Sequence, residues 1–257
     1  MIIKKKEIGS GMPILCVPVT ERSASGIIEA VNRLSQARAD AIEWRVDYYA
    51  KSDNVQMVCA ILQEIKHMLQ DTILIFTYRT AAEGGEGCSD AAVYEELLLE
   101  AAATGVPDFI DLEFAMQNAL PMLMSTIRSR GVRVIASFHD FNGTPAVGKM
   151  TRKYKDMFAA GADIAKIAVM PKDFSDVCDL MKASKSAACA QPDRALIAIS
   201  MGELGALTRL SGEVTGSCFT FVTDGAASAP GQMSYAGVKR ALTEIHACLT
   251  EGHKHQK

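Results

Sequence analysis

Eight short runs rich in apolar and β-branched residues recur along this 257-residue chain, at 14–19, 41–48, 72–79, 109–114, 133–141, 164–170, 195–201 and 218–224. Each has the length of a buried strand, and successive starts lie 23 to 37 residues apart. That spacing leaves room for one helix and two loops between neighbours. Several of the intervening stretches carry helical periodicity behind polar openings: Ser52-Asp53 before 55–69, Ser89-Asp90 before 91–103, Pro171-Lys172-Asp173 before 174–188, and Met233-Ser234 before 235–249. Ser or Asp at such an opening caps the free N–H groups of a first turn. Gly105, Gly131 and Gly161 follow helices where a left-handed residue ends them. Continuous apolar strands alternating with helices belong to a parallel sheet covered on both faces. Eight such units in a chain of this length match an α/β fold, a closed (β/α)8 barrel forming a single domain over 1–257. A doubly wound open sheet would place a glycine-rich loop after the first strand, and Pro18-Val19-Thr20-Glu21 is not one. Residues 2–8, followed by Gly9-Ser10-Gly11, read as a short N-terminal hairpin closing the barrel floor.

Composition narrows the class of partner. The formal net charge is −3 and no basic stripe runs along the chain, so nucleic acid is not an expected partner. Lys4, Lys5 and Lys6 read as a solvated edge. No apolar run reaches the length of a membrane helix, and the N-terminus lacks the apolar stretch of a signal peptide. The seven cysteines are scattered and never spaced as a CxxC pair, which fits reduced thiols in a cytoplasmic protein better than disulfides or a zinc site.

One charged residue stands out against this background. Lys166 lies in Ile164-Ala165-Lys166-Ile167-Ala168-Val169-Met170, a run with no other charge. An ammonium in apolar surroundings is costly unless paired, and a lysine that gives up its proton becomes a nucleophile towards carbonyl carbon. The plain alternative is a lysine at a strand end whose amine reaches water. The preceding strand, Arg133-Val134-Ile135-Ala136-Ser137-Phe138-His139-Asp140-Phe141, places His139 near its C-terminal end. A lysine and a histidine on neighbouring strands supply a nucleophile and a proton shuttle.

Barrel chemistry sits at the C-terminal ends of the strands, and the unusual polar residues fall there. Glu43 and Arg45 share one face of the second strand by its two-residue period. Arg79 ends the third, before Glu83-Gly84-Gly85-Glu86. Asp111 and Glu113 lie on the fourth, and Ser137 and His139 on the fifth. The seventh leads into Met201-Gly202-Glu203-Leu204-Gly205-Ala206-Leu207-Thr208-Arg209, and the eighth into residues 224–232, a small, glycine-flanked segment suited to close as a lid. Each has a plainer reading as a barrel-mouth ion pair or a tight turn. The acidic set also suits a divalent cation, but three arginines and a lysine at the same mouth disfavour one, so no metal is expected. His67, His246, His253 and His255 are given no role.

Together these segments resemble type I 3-dehydroquinate dehydratase, the Schiff-base enzyme of the shikimate pathway. The resemblance covers nearly the whole chain: Glu43-Trp44-Arg45-Val46-Asp47, Thr77-Tyr78-Arg79-Thr80 with Glu83-Gly84-Gly85-Glu86, Ser137 to Phe141, Ala165 to Pro171, Met201 to Arg209, and Ser228-Ala229-Pro230-Gly231-Gln232. One departure is Thr208, where the family more often has Ser; the hydroxyl is kept. The resemblance implies a (β/α)8 barrel, usually a homodimer, with no organic cofactor or metal. It implies syn loss of water from 3-dehydroquinate, giving 3-dehydroshikimate on the way to chorismate and the aromatic amino acids. Lys166 would form an imine with the C3 ketone. His139 would take the C2 proton and return it to the leaving C1 hydroxyl, oriented by Glu83. Arg209 would bind the carboxylate, with Ser228 and Gln232 closing over it, while Glu43, Arg45 and Arg79 would hold the ring hydroxyls and the local charge.

The chemistry agrees with such roles. A protonated imine accepts electrons better than a carbonyl, and one histidine near its ordinary pKa of ~6.5 serves as base and then acid. Two other readings compete. A Schiff-base class I aldolase for a sugar phosphate would use Gly202, Gly205 and the loop after the eighth strand for the phosphate, but Arg209 at that place suits a carboxylate. A non-catalytic, ligand-sensing relative would keep the barrel and lose the chemistry. Lys166 and His139 together argue against it, as does the lack of a DNA-binding segment in the sequence.

Overall fold

Ten strands and eight helices are described in the computed structural model of the chain, which covers residues 1–115, 120–225 and 231–252. The first two strands, β1 (Ile2–Ile3) and β2 (Lys6–Glu7), pair antiparallel as the expected hairpin. The other eight are β3 (Ile14–Val19), β4 (Ala41–Arg45), β5 (Ile73–Thr77), β6 (Phe109–Glu113), β7 (Arg133–Asp140), β8 (Ile164–Val169), β9 (Ala195–Ser200) and β10 (Phe219–Phe221). They form one parallel sheet in the order β10-β3-β4-β5-β6-β7-β8-β9. Its two ends meet where the Cys218 N–H donates to the Leu196 carbonyl at 2.8 Å and the Ala198 N–H to Ser217 Oγ at 3.1 Å. A side chain thus completes the seam, and the sheet closes as a (β/α)8 barrel.

Helices α1 (Ala24–Gln36), α2 (Val55–Ile65), α3 (Ala91–Ala103), α4 (Leu120–Ser129), α5 (Val147–Ala159), α6 (Phe174–Ala190), α7 (Gly212–Thr215) and α8 (Tyr235–Gly252) alternate with the strands. Asp90 and Asp173 cap α3 and α6 as their sequence openings imply. Asn54, not Ser52-Asp53, caps α2, because its extended backbone turns the side-chain oxygen towards the Met57 N–H at 3.0 Å. That helix also ends at Ile65, short of the expected 69, and His67 falls in the turn after it. Leu69 owes its apolar character to burial in that turn. No helix among the described residues is long and apolar enough to cross a membrane, and all seven cysteines are free thiols.

Alternation along each strand separates two cores. Odd positions of β8 illustrate the rule: Ala165, Ile167 and Val169 point out against the helices, while Ile164 and Ala168 join the cluster inside the barrel. The lowest inward positions are apolar, among them Ile14, Ala41, Ile73, Phe109, Ile135, Ile164 and Phe219, and the hairpin residues Ile3 and Ile8 pack into the same cluster. Lys4 fastens the hairpin by an ion pair to Asp108 at 2.7 Å and a hydrogen bond to the Thr72 carbonyl at 2.8 Å. Above them the inward positions Glu43, Thr77, Asp111, Ser137 and Lys166 are polar and buried, while Cys16, Ile75, Ile197 and Phe221 stay apolar. The polar layer lies towards the strands' C-terminal ends.

Candidate active site

Lys166 stands on β8 in register with Ser137 of β7 and Ile197 of β9. Its side chain is only about 5% exposed, so the amine does not reach water freely. The surroundings are not apolar, however. Nζ donates to Asp111 Oδ2 at 3.0 Å, lies 3.6 Å from Glu43 Oε1, and sits 4.7 Å from the centre of the Phe221 ring. The apolar residues around it in sequence are its outward-facing neighbours, while its actual partners come from β4 and β6. Charge pairing replaces the unpaired burial that the sequence suggested.

Arg79, two residues beyond the end of β5 at Thr77, organises that layer. Nη2 donates to Asp111 Oδ1 at 2.6 Å; Nη1 donates to Ser137 Oγ at 3.0 Å, Glu113 Oε1 at 3.1 Å and Glu83 Oε2 at 3.4 Å. Burial alone would favour losing its proton, but Asp111, Glu113 and Glu83 outweigh burial and hold the guanidinium above its ordinary range. Arg79 borders the cavity, yet both of its Nη atoms donate to protein groups. Asp111 is pressed the other way. Burial would raise it, and the charges of Arg79 and Lys166 with the Ser137 hydroxyl hold it well below the usual carboxylate range.

The loop after β5 brings Glu83 over the same mouth. Thr80 anchors it through its N–H and hydroxyl to Glu113, at 2.8 and 2.7 Å. Gly85 passes so close to the strand end that a Cβ there would lie 2.1 Å from the Arg79 carbonyl oxygen, so only glycine fits. Asp47 ties the loop to β4 by accepting from the backbone N–H groups of Arg79 and Glu86, at 3.3 and 3.2 Å. Asp47 also takes Arg45 in a two-point pair at 2.9 and 2.7 Å. Glu43 accepts the Thr77 hydroxyl at 2.9 Å.

His139 projects from β7 towards this loop. Glu83 Oε2 accepts its backbone N–H at 3.1 Å and faces Nδ1 at 2.8 Å. An oxygen already accepting one N–H is an acceptor for the second, so Nδ1 carries the proton and Nε2 presents a lone pair. Glu83 Oε1 is buried without a hydrogen-bond partner. Burial pushes the Glu83 carboxyl up to about 8, opposed by Arg79 and reinforced by Glu113 and Asp111. His139 does not keep its ordinary pKa. Burial first, then the charges of Arg79 and Lys166, push it well down. The resting imidazole is a neutral base that becomes an acid only after taking a proton.

Arg209 closes the far side. It ends a 3₁₀ turn, Leu204–Arg209, after β9 and is buried; desolvation pushes it down to about 10. Thr208 fastens this turn: its hydroxyl accepts the Ser200 N–H at 3.1 Å and donates to the Gly205 carbonyl at 2.7 Å. The hydroxyl kept at this position is therefore in use. Gln232 borders the same cavity as Lys166, His139 and Arg209. Ser228, with most of the expected lid, falls in 226–230 and lies outside the described residues.

The family model for type I 3-dehydroquinase matches residues 15–248. The chain belongs to that family. The 3-dehydroquinate dehydratase of Bacillus licheniformis is 40% identical over 243 residues, which cover 94% of this chain and 96% of that protein. The enzyme of the same name from Clostridioides difficile is 36% identical over 248 residues, covering 96% and 97%. The crystal structure of the type I 3-dehydroquinate dehydratase from Clostridium difficile with covalently modified comenic acid superposes with a TM-score of 0.93, at 35% identity over 96% of this chain and 98% of that one. The structure from Geobacillus kaustophilus gives 0.92 at 29% identity, covering 96% of each chain.

Within this family fold, one cavity borders eight of the nine residues singled out from sequence: Glu43, Arg45, Arg79, Glu83, His139, Lys166, Arg209 and Gln232. Reasoning from sequence gave no role to Asp111, Glu113, Ser137 or Asp47, which hold them in place. Asp111 and Glu113 were visible as carboxylates at inward positions of a buried strand. Their shared partner Arg79 lies 32 and 34 residues away, just past the end of β5, so only closure of the barrel identifies it.

Proposed function

We propose that this chain is the 3-dehydroquinate dehydratase of a shikimate pathway, removing water from 3-dehydroquinate through an imine on Lys166. The observation that carries the reading is a buried lysine amine beside a histidine whose Nδ1 is fixed by Glu83, so that Nε2 faces the shared cavity. Lys166 attacks the C3 ketone, and loss of water gives the protonated imine. His139 Nε2 removes the C2 proton, and the electron pair is stored as an enamine. The pair returns, the C1–O bond breaks, and the protonated His139 delivers its proton to the leaving oxygen. Taking and giving that proton on one ring face is syn elimination. Glu83 keeps Nδ1 protonated throughout. Arg209 is the carboxylate anchor, with Ser228 and Gln232 closing over it. Glu43 and Arg45 border the ring hydroxyls, and Arg79 sets the local charge. No metal or organic cofactor enters this scheme, because the imine nitrogen supplies the electron sink. A cytoplasmic homodimer belongs to the same reading, on the family resemblance.

Two measurements test it. Ultraviolet absorbance of the conjugated enone should rise when 3-dehydroquinate is added to purified protein. Borohydride with substrate should inactivate the enzyme and leave the ligand mass on Lys166, while Lys166→Met should show neither turnover nor adduct. An adduct on another lysine, or activity lost to a chelator, would remove the imine from the mechanism.

A further inference from the structure

Asp111 has no role in the scheme above, yet its two oxygens are divided between two tasks. Oδ1 accepts from Arg79 Nη2 and from the Ser137 hydroxyl, both at 2.6 Å. Oδ2 faces the Lys166 nitrogen at 3.0 Å. Glu43 is the other carboxylate near that nitrogen, but it stands at 3.6 Å and its Oε1 takes the Thr77 hydroxyl. We infer that Asp111 is the fixed counter-ion of the Lys166 nitrogen and keeps the imine protonated while the C2 proton is removed. The inference rests on the imine proposed above.

Every group facing Asp111 bears on its charge. Arg79 approaches from the end of β5, Ser137 and His139 from β7, and Lys166 from β8; Glu113 lies on its own strand, with Glu43 and Glu83 farther round the mouth. The two cations and the hydroxyl outweigh burial, so Asp111 stays a carboxylate when its neighbours change charge. An unprotonated imine is a poor electron sink, and a counter-ion held in hydrogen-bond contact within a buried layer favours the charged form.

The proton and charge balance closes around this contact. When the lysine ammonium condenses with the ketone, a C–N bond forms and two of its three hydrogens leave with the carbonyl oxygen as water. The third stays on nitrogen, beside Asp111, and the positive charge stays with it. Breaking the C2–H bond sends the proton to His139 and the electron pair towards nitrogen, which becomes neutral. The positive charge has then moved from nitrogen to imidazole, where Glu83 holds Nδ1 at 2.8 Å. Arg79 touches both ends, with Nη2 on Asp111 and Nη1 towards Glu83 at 3.4 Å. As the C1–O bond breaks, the oxygen takes the proton from His139 and leaves as water, and the charge returns to the nitrogen beside Asp111.

The test is Asp111→Asn, which keeps the shape and removes the charge. In the variant kcat should fall by ~10², the scale for losing one fixed electrostatic partner of a reacting group. KM should move little, because Asp111 faces the nitrogen and not the ring. The alkaline limb of the kcat–pH profile should shift to lower pH, since the imine loses its proton more readily. Uniform loss at every pH, with the alkaline limb unmoved, would make Asp111 a structural partner of Arg79 and overturn the inference. Borohydride trapping on the wild-type enzyme separates this from failure of the imine itself: no adduct at Lys166 overturns both, whereas an adduct with an unmoved limb overturns only the counter-ion. If Asp111→Asn does not fold, wild-type protein with ¹⁵N-labelled lysine side chains, held as its imine with product, gives the same answer. The nitrogen resonance should remain that of a protonated imine into the alkaline range. A neutral imine at neutral pH would refute the assignment.

Discussion

The floor and the mouth of this barrel are built from the same strands, one inward position apart, and they are filled in opposite ways. On β6, Phe109 points into an apolar floor, and Asp111 and Glu113 follow it into the charged layer above. On β8, Ile164 is followed by Lys166; on β7, Ile135 by Ser137 and His139. Below, rings and branched chains pack face to edge, as Phe109 does with Phe219 at 6.1 Å, and burying them stabilises the fold by ~25 cal/mol per Å² of apolar surface. Above, Arg79 and Lys166 are held among carboxylates whose desolvation offsets much of the attraction. The two layers divide the labour: the floor carries stability, and the mouth accepts buried charge in exchange for reactive groups whose protons are displaced from their ordinary affinities.

The sharpest way to break that division is His139→Ala. It removes the base from the mouth and should cut kcat by ~10² to 10⁴. The imine should still accumulate slowly, because Lys166 remains, and the mass of protein incubated with substrate reports it. The melting temperature should move less than for a floor substitution, since the imidazole borders the open cavity. Activity close to that of the unaltered protein would take His139 out of the chemistry.

Phe109→Ala should act in reverse. Emptying a fully buried ring position in the floor should cost ~3–5 kcal/mol of stability, read as a lower denaturation midpoint. At a temperature where the variant is still folded, kcat should match the unaltered protein. A large fall in kcat there would show that floor packing sets the geometry of Lys166, and the two layers would then be one unit.

The same contrast governs what could be read from the sequence. The eight strands were legible because continuous apolar, β-branched runs report burial on both faces directly. Where a run overshot its strand, local geometry intervened: 41–48 contains β4 and then the 3₁₀ turn Val46–Tyr48, which starts the loop carrying Asp47. At the mouth, the reactive residues were legible as charges in unlikely places, but their environments were not. Lys166 read as unpaired because its partners lie on β4 and β6, and His139 read as an ordinary imidazole because the burial that pushes it down, and then the charges of Arg79 and Lys166, arise only when the barrel closes. Periodicity reveals which way a side chain points. It does not reveal what it meets there.

Glu83 gives the smallest and most selective prediction, because it tests the charge of the mouth without removing a reactive group. Its carboxyl is pushed up to about 8 by burial, with Glu113 and Asp111 adding to burial and Arg79 opposing it. An ordinary glutamate in the unfolded chain titrates near ~4.3. The folded protein therefore holds this proton more tightly than the unfolded one. The resulting stabilisation is fully present below ~4.3, declines as pH rises from there, and is gone above about 8. Glu83→Gln is neutral at every pH, so this part of the stability slope should disappear, and the variant should gain on the unaltered protein as the solution becomes more alkaline. Its amide oxygen can still accept the two N–H groups of His139, and at neutral pH the carboxyl itself largely holds its proton, so kcat should fall by roughly tenfold or less, the scale of one altered hydrogen bond. Urea midpoints of both proteins across this range decide the matter. If the two curves run parallel, Glu83 does not hold the displaced proton, and the charge of the mouth must be balanced at another of its carboxylates.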